Sequence, residues 1–354
     1  MVISFLLPRL IKIPSGGIKV IYKHAESLAG YGHKVRIISP IYSGINFKAK
    51  LLKIATDFRD FLHKVPNQPY YNTPKGVKHL IIPEPTEQYI PDCDVIIATA
   101  WNTAGWVNDL PDSKGTKFYF VQGLEETYLG GENSVLNTWK LPLKKIVVAG
   151  WLKDKIHDMG ETTIGVIPNA INPDDFYKTK SLSSRNRTIC MSYHPLPKKN
   201  AAFGIDILIQ VKKLYPDLQA TIFSARPIRH NVPGWINIEI RPTLSRLRDI
   251  YNESTIFLSP SEREGWPLPP MEAMACGCVV VAVENQGIKE YITDGVSGLL
   301  TSKNNIQKLC DHIKNVFESP VLRENIVNEG MKQVTSFNWD RICKDFEKLL
   351  IENK

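Results

Sequence analysis

Residues 255–283 read TIFLSPSEREGWPLPPMEAMACGCVVVAV. The apolar run at the front predicts a strand. The prolines at 269 and 270 suit a first helical turn, where a missing N–H costs nothing, and Gly277 suits a helix stop. The stretch therefore predicts a strand, a stiff loop, a helix from about Leu268–Pro270 to Cys276, and a second buried strand. Strand–helix–strand in so short a span predicts parallel pairing in an α/β sheet. Glu264 then lies on the loop beyond a strand's carboxyl end, and Glu272 in the first turns of the following helix. Both face the rim where ligands of open α/β sheets bind.

Outward from this stretch the same alternation continues. VISFLL, KVRIISP, DVIIATA, KFYFVQ, KIVVAG and IGVIPN read as strands in the first half. Between the first two, GGIKVIYKHAESLAGYG spaces its apolar residues at three to four, with Gly30 and Gly32 placed to end a helix. The pattern restarts with TICMSY, a helix over AFGIDILIQVKKLYP, then QATIFS, a helix at RLRDIYNES, and TIFLSP. NPDDFYKTKSLSSRNR between the halves is polar and aperiodic. Two α/β units in series are expected. The first strand lacks the G-x-G-x-x-G of dinucleotide sites, which disfavours a nicotinamide oxidoreductase. Ser15-Gly16-Gly17 stands there instead, a helix start whose bare amides suit a phosphate or simply a turn.

The 354 residues suffice for two cores. No apolar run is long enough for a transmembrane helix, and MVISFLLPRL reads as a first strand rather than a signal peptide. The six cysteines form no CxxC pair, which fits a reduced, cytoplasmic compartment. Cys276-Gly-Cys278 has no second pair to complete a metal site and reads as packing. Residues 178–250 carry 13 basic side chains against four acidic ones, an excess that suits an anionic ligand or a solvated lysine-rich face.

Carboxylates accept hydrogen bonds from hydroxyls, and a helix N-terminus attracts phosphate. A ligand with two sets of hydroxyls flanking a phosphate, such as a sugar nucleotide, suits Glu264 and Glu272. The alternative is a solvated loop charge and a helix-dipole partner. The wider passage resembles the donor-binding region of glycosyltransferase family 4, with its E-x7-E in an EGFGLPxLEAMA setting. Glu264 and Glu272 match the glutamates, Gln286–Glu290 its GxxE element, and Asp294-Gly295 with Gly298-Leu299-Leu300 its DGxxGLL segment. Val166–Asn172 resembles the family's IPNGVD, and Phe337–Asp340 its FSW start of a last helix.

The resemblance implies a GT-B fold: two Rossmann-like domains with parallel sheets facing a central cleft. The expected division is an acceptor domain over 1–177, a nucleotide-sugar domain over 178–335, and a helix over 336–354 crossing back to the first. It further implies retaining transfer of a hexosyl or deoxyhexosyl unit, rhamnosyl among them, from a nucleotide sugar. The expected acceptor is a glycan or lipid-linked saccharide in cell-surface polysaccharide synthesis. No cofactor, metal or nucleic acid is implied. Glu264 and Lys199 take the catalytic positions. Gly16, Gly17, His194, Lys198, Arg241, Trp266, Leu268 and Glu272 are the donor-binding candidates. Two departures stand out. Trp266-Pro267 replaces the usual Phe-Gly, which removes an amide N–H and leaves those around Trp266 and Leu268. Tyr193–Asn200 replaces the Gly-Arg…Lys-Gly element, with His194 at the arginine position. A cationic histidine there predicts activity lost above about pH 6.5, unless Lys198, Arg226 or Arg241 supplies the charge.

In the first half, Trp101, Asn102, Gln122 and Glu125 lie at polar–aromatic tips after two strands and are the acceptor-binding candidates. Asp92-Cys-Asp94 resembles the metal-binding D-x-D of the GT-A fold but lacks its surroundings. Residues 47–64, FKAKLLKIATDFRDFLHK, predict a basic amphipathic helix suited to peripheral contact with the inner face of an anionic membrane, or to an ordinary solvated face. Two other readings keep the same fold: a nucleotide-sugar epimerase, and a non-catalytic sugar-nucleotide-binding protein.

Overall fold

The computed structural model describes residues 1–42, 72–124 and 131–354. Glu125 and the 47–64 stretch lie outside the described residues. The chain divides into two compact units. One comprises Met1–Pro168 with Asp340–Lys354, and the other Asn169–Trp339.

The first unit holds β1 (Val2–Leu6), α1 (Gly16–Gly30), β2 (Lys34–Pro40), β3 (Val77–Ile82) and β4 (Val95–Ala98). It continues with α2 (Trp101–Asn108), β5 (Thr116–Val121), α3 (Gly131–Trp139), β6 (Lys144–Val147), α4 (Gly150–Asp158) and β7 (Gly165–Val166). Among the described residues seven strands order as β3-β2-β1-β4-β5-β6-β7, all parallel. The order reverses between β1 and β4. Buried on both faces, the central strands are continuous apolar runs, as parallel sheets require. The residues after β4, read as a polar–aromatic tip, form the first turn of α2. Thr103 Oγ1 accepts from the amides of Thr99 (2.8 Å) and Ala100 (3.0 Å) and so fixes that start.

The second unit holds β8 (Thr188–Tyr193), α5 (Ala201–Leu214), β9 (Gln219–Ser224), β10 (Ile236–Ile240), α6 (Leu244–Glu253) and β11 (Ile256–Ser259). After these come α7 (Leu268–Ala275), β12 (Val279–Val283), α8 (Gln286–Lys289), β13 (Leu299–Thr301), α9 (Ile306–Glu318) and α10 (Pro320–Thr335). Six parallel strands order as β10-β9-β8-β11-β12-β13, reversing between β8 and β11. Its core draws on Met191, Leu208, Ile222, Leu258, Val281 and Ile313, none more than 1 % exposed.

The last helix, α11 (Trp339–Glu352), returns the chain to the first unit. Its Phe346 ring lies 6.4 Å from Phe5 and 5.3 Å from Phe120. Glu347 meets His33 at 2.7 Å, and Lys354 meets Asp94 at 2.5 Å.

Candidate functional site

In each sheet the strand order reverses at one place, and crevices at such reversals, beyond the carboxyl ends of the strands, are where doubly wound folds bind ligands. In the second unit the two loops flanking the reversal follow β8 and β11. The first carries His194–Asn200 and the second Pro260–Pro267. They bring the Lys199 ammonium to 2.5 Å from Glu264 Oε1, with the side chains 28 % and 13 % exposed. An ion pair this open adds on the order of 1 kcal/mol or less to stability. Its position is better explained by what it presents at the rim.

The loop bearing Glu264 is held from several sides. The Glu262 amide donates to Lys198 O (2.9 Å), and its carboxylate accepts from Asn200 Nδ2 (3.0 Å) and Lys303 Nζ (3.3 Å). Asn285 Nδ2 donates to Ser261 O at 2.9 Å, while its Oδ1 caps α8 by accepting from the Ile288 amide. Tyr291 donates to Pro267 O at 2.7 Å. Gly287 lies so close that a methyl group there would stand 2.6 Å from Gly265 O and 2.7 Å from Glu264 O. Fixed polar groups of this kind pay no reorganisation cost when charge develops.

Trp266 is buried. Its ring packs 5.6 Å from Tyr291 and 5.2 Å from Phe337, and its Nε1–H points at Met271 Sδ. Leu268 is buried too. Their contribution to a ligand is confined to the main chain. Pro267, Pro269 and Pro270 leave this rim with fewer amides than an ordinary helix start.

Glu272 lies in the middle of α7, 7 % exposed, and accepts a hydrogen bond from Tyr251 at 3.1 Å. Arg185 ties the ends of α6 and α7 together. Its guanidinium donates to the carbonyls of Lys180, Ser254, Cys276 and Gly277 at 2.7–3.0 Å, and more weakly to Tyr251 O at 3.5 Å. Neither Tyr251 nor Arg185 was expected from the sequence. Arg185 lies in the aperiodic stretch that read as a linker.

His194 is not a cation at neutral pH. Burial, then the charges of Lys199, Arg226 and Lys198, lower its pKa to about 4, and its Nδ1 accepts from the Leu196 amide at 3.2 Å. A neutral imidazole at this position agrees with its ordinary value below pH 7 and leaves the fixed positive charge of the loop to the neighbouring lysines. Three of the 13 basic side chains over 178–250 are paired elsewhere: Arg187 with Asp217, Arg246 with Glu239 and Glu253, and Lys180 with Glu253. Lys198, Lys199, Arg226, Arg229 and Arg241 fall in the loops after β8, β9 and β10, at the carboxyl edge. Arg241 adopts φ +53° and turns its Nε–H onto Ala225 O at 3.3 Å.

In the first unit Gly16 and Gly17 open α1, and Gly17 abuts Gln122, where an added methyl would meet Oε1 at 3.0 Å. Gln122 Oε1 is buried without a hydrogen-bond partner among the described residues. Its Nε2 lies 3.5 Å from Thr99 O, and Thr99 Oγ1 bridges to Leu6 O at 2.7 Å. Trp101 and Asn102 begin α2 beside this reversal. Asp92 and Asp94 lie at the opposite edge of the sheet, paired with Lys114 and Lys354. Among the described residues no group of three or more His, Cys, Asp or Glu side chains is placed to hold a metal. Nor is any described helix long and apolar enough to cross a membrane. Cys276 and Cys278 are buried, which pushes both thiols up.

Residues 230–333 match the family described as Glycosyl transferases group 1. That span holds Glu264 and Glu272 and begins after Lys199. An uncharacterised glycosyltransferase of Methanocaldococcus jannaschii is 23 % identical over 222 residues, covering 59 % of each chain. A D-inositol 3-phosphate glycosyltransferase of Actinosynnema mirum is 32 % identical over 95 residues, 27 % of this chain and 23 % of that protein. The chain thus spans well under two thirds of the length of these relatives. Among solved structures, Anabaena HepE in complex with UDP-glucose superposes with a TM-score of 0.74 at 16 % identity, covering 99 % of this chain and 100 % of that one. The fold is therefore of the GT-B class, built from two parallel-sheet α/β units.

Proposed function

We propose that this chain is a retaining glycosyltransferase of family 4 type that needs no metal. It moves a hexosyl or deoxyhexosyl unit, rhamnosyl among them, from a nucleotide sugar to a glycan or lipid-linked saccharide in cell-surface polysaccharide synthesis. The six free cysteines suit action in the cytoplasm. The carrying observation is the Lys199–Glu264 pair at the strand-order reversal, with Glu272 on the helix that follows. The matching span over the same glutamates and a GT-B neighbour holding UDP-glucose support the reading.

In this reading Glu272 receives the ribose hydroxyls and Glu264 those of the transferred sugar. Before the donor arrives, Glu264 neutralises Lys199. A bound diphosphate then competes for the ammonium, which is placed to stabilise charge on the departing nucleotide. No side chain here is assigned as a nucleophile. Departure and attack occur on one face of the sugar, and a donor phosphate oxygen takes the acceptor proton. In the first unit, the buried Gln122 Oε1 is an acceptor for an incoming hydroxyl, and Trp101 and Asn102 open the helix after the neighbouring strand β4.

The test is incubation with a panel of nucleotide sugars in EDTA, without acceptor. One donor should be hydrolysed slowly, and more slowly by Glu264→Ala. A new sugar epimer formed from donor alone would point to an epimerase. Activity abolished by EDTA and restored by manganese or magnesium would overturn the metal-free mechanism. Tight binding with no turnover would leave a binding protein.

A further inference from the structure

We propose that Tyr251 is a positioning residue for nucleotide binding, its buried hydroxyl fixing the Glu272 carboxylate in the orientation that receives ribose hydroxyls. The proposal rests on the donor-site reading above. Tyr251 is fully buried on α6, and its hydroxyl donates to Glu272 Oε2 at 3.1 Å. Its ring is fenced by Phe176, Phe223 and Phe257, with centroids 5.6–5.9 Å away. A phenylalanine would suit such surroundings without the cost of burying a hydroxyl. The oxygen has one use among the bonds described, which is to hold Glu272.

The backbones carrying the pair are also tied together. Arg185 donates both to Ser254 O beyond α6 and to Cys276 O and Gly277 O beyond α7. Cys278 Sγ adds a bond to Tyr251 O at 3.0 Å. The donor and the carboxylate therefore keep their separation through the fold rather than through local side-chain chance. Burial, followed by the Glu272 charge, pushes the Tyr251 phenol well above the usual tyrosine range. It stays a proton donor to the carboxylate at every working pH. A carboxylate gripped at one oxygen loses rotational freedom before the nucleotide arrives, which is the preorganisation that favours binding.

The experiment is calorimetric titration of UDP, GDP, ADP and dTDP into the full chain, repeated with the 2′,3′-dideoxy form of whichever binds tightest. Tyr251→Phe should weaken the hydroxylated nucleotide by about tenfold, the scale of one lost hydrogen bond to a charged group, and leave the dideoxy form unchanged. Glu272→Ala should abolish the difference between the two ligands, and the double variant should lose no more than Glu272→Ala alone. Equal losses for both ligands in Tyr251→Phe, or no loss for either, would make Tyr251 a packing residue only. If Tyr251→Phe fails to fold, discrimination by Glu272→Asp, which draws the carboxylate away from the phenol, decides in its place: retained ribose preference would overturn the proposal. A wild type that binds none of the four nucleotides would overturn the donor-site reading, and this one with it.

Discussion

Lys199 carries the charge that the proposed chemistry needs most, because negative charge grows on the leaving diphosphate as the glycosidic bond breaks. Lys199→Ala should lower turnover by about 10²–10³-fold, the scale for losing one such electrostatic group, while weakening a free nucleoside diphosphate far less. Lys198→Ala should do less, since it is Lys199 that holds the position beside Glu264. Steady-state kinetics with parallel titrations separate the two effects. Silent Lys199→Ala with inactive Lys198→Ala would move the role one position along. His194 makes the opposite prediction from a cation. With its pKa lowered to about 4, it is already neutral between pH 6 and 8, so His194→Gln should leave the shape of the rate profile there unchanged. A variant that erased an ionisation near pH 6.5 would contradict this. The places of Glu264, Glu272 and Lys199 in the fold were legible in the sequence because each follows a recognisable strand at short range, while the roles proposed for them came from the resemblance. Tyr251 and Arg185 were not. The Tyr251 bond reaches across 21 positions and those of Arg185 to Cys276 and Gly277 across 91 and 92, and nothing local marks either residue.

At the scale of elements, the loop from Pro260 to Pro267 is set by what packs behind it. Gly287→Ala should push the Glu264–Gly265 backbone outward, since its methyl would meet backbone carbonyls rather than a yielding side chain. The overpacking should cost about 1–3 kcal/mol of stability and reduce turnover more than nucleotide affinity. Denaturant unfolding and kinetics on the same sample check it. Wild-type turnover in Gly287→Ala would mean the loop is not held there. The central strands and α7 were readable because parallel strands buried on both faces are unbroken apolar runs. β3 and β10 were not, because both are edge strands with mixed burial, in which Ile81, Ile238 and Ile240 remain exposed. α2 was missed because Trp101, Asn102 and Thr103 resemble a loop tip. The Thr103 hydroxyl, accepting from the Thr99 and Ala100 amides, helps turn that tip into a helix start.

At the scale of the whole molecule, the buried histidines should govern acid stability. His24 lies between Phe120 and Phe346, with centroids at 5.5 and 4.3 Å, and burial, aided by Lys23, lowers its pKa to about 3. Its ordinary value is 6.5. Between those two pH values the unfolded chain binds a proton that the folded chain refuses, so stability falls as pH drops through that window and is unaffected above it. His194 acts with the same sign down to about pH 4, and burial lowers His79 and His312 as well. Urea midpoints measured from pH 7 to 4 should decline, and His24→Phe should flatten the slope by about 1.4 kcal/mol per pH unit at most. An unchanged slope in that variant would show that His24 charges within the fold. The alternation of strands and helices made the two α/β units legible from sequence. The buried place of His24 was not, since α11 covers it from more than 300 residues away through Cys343 and Phe346.

The central claim is that Glu264 and Glu272 divide one nucleotide sugar between them. It is tested most directly by titrating nucleotide sugars, UDP-glucose first, into the wild type, Glu264→Ala and Glu272→Ala, with turnover measured on the same preparations. One nucleotide sugar should bind the wild type. Glu272→Ala should weaken both that donor and its free nucleoside diphosphate by about 1–3 kcal/mol, the range for a lost bond to a charged group. Glu264→Ala should bind the free diphosphate like the wild type while its turnover collapses. If both variants match the wild type in affinity and in turnover, the two glutamates do not form a donor site and the account is wrong.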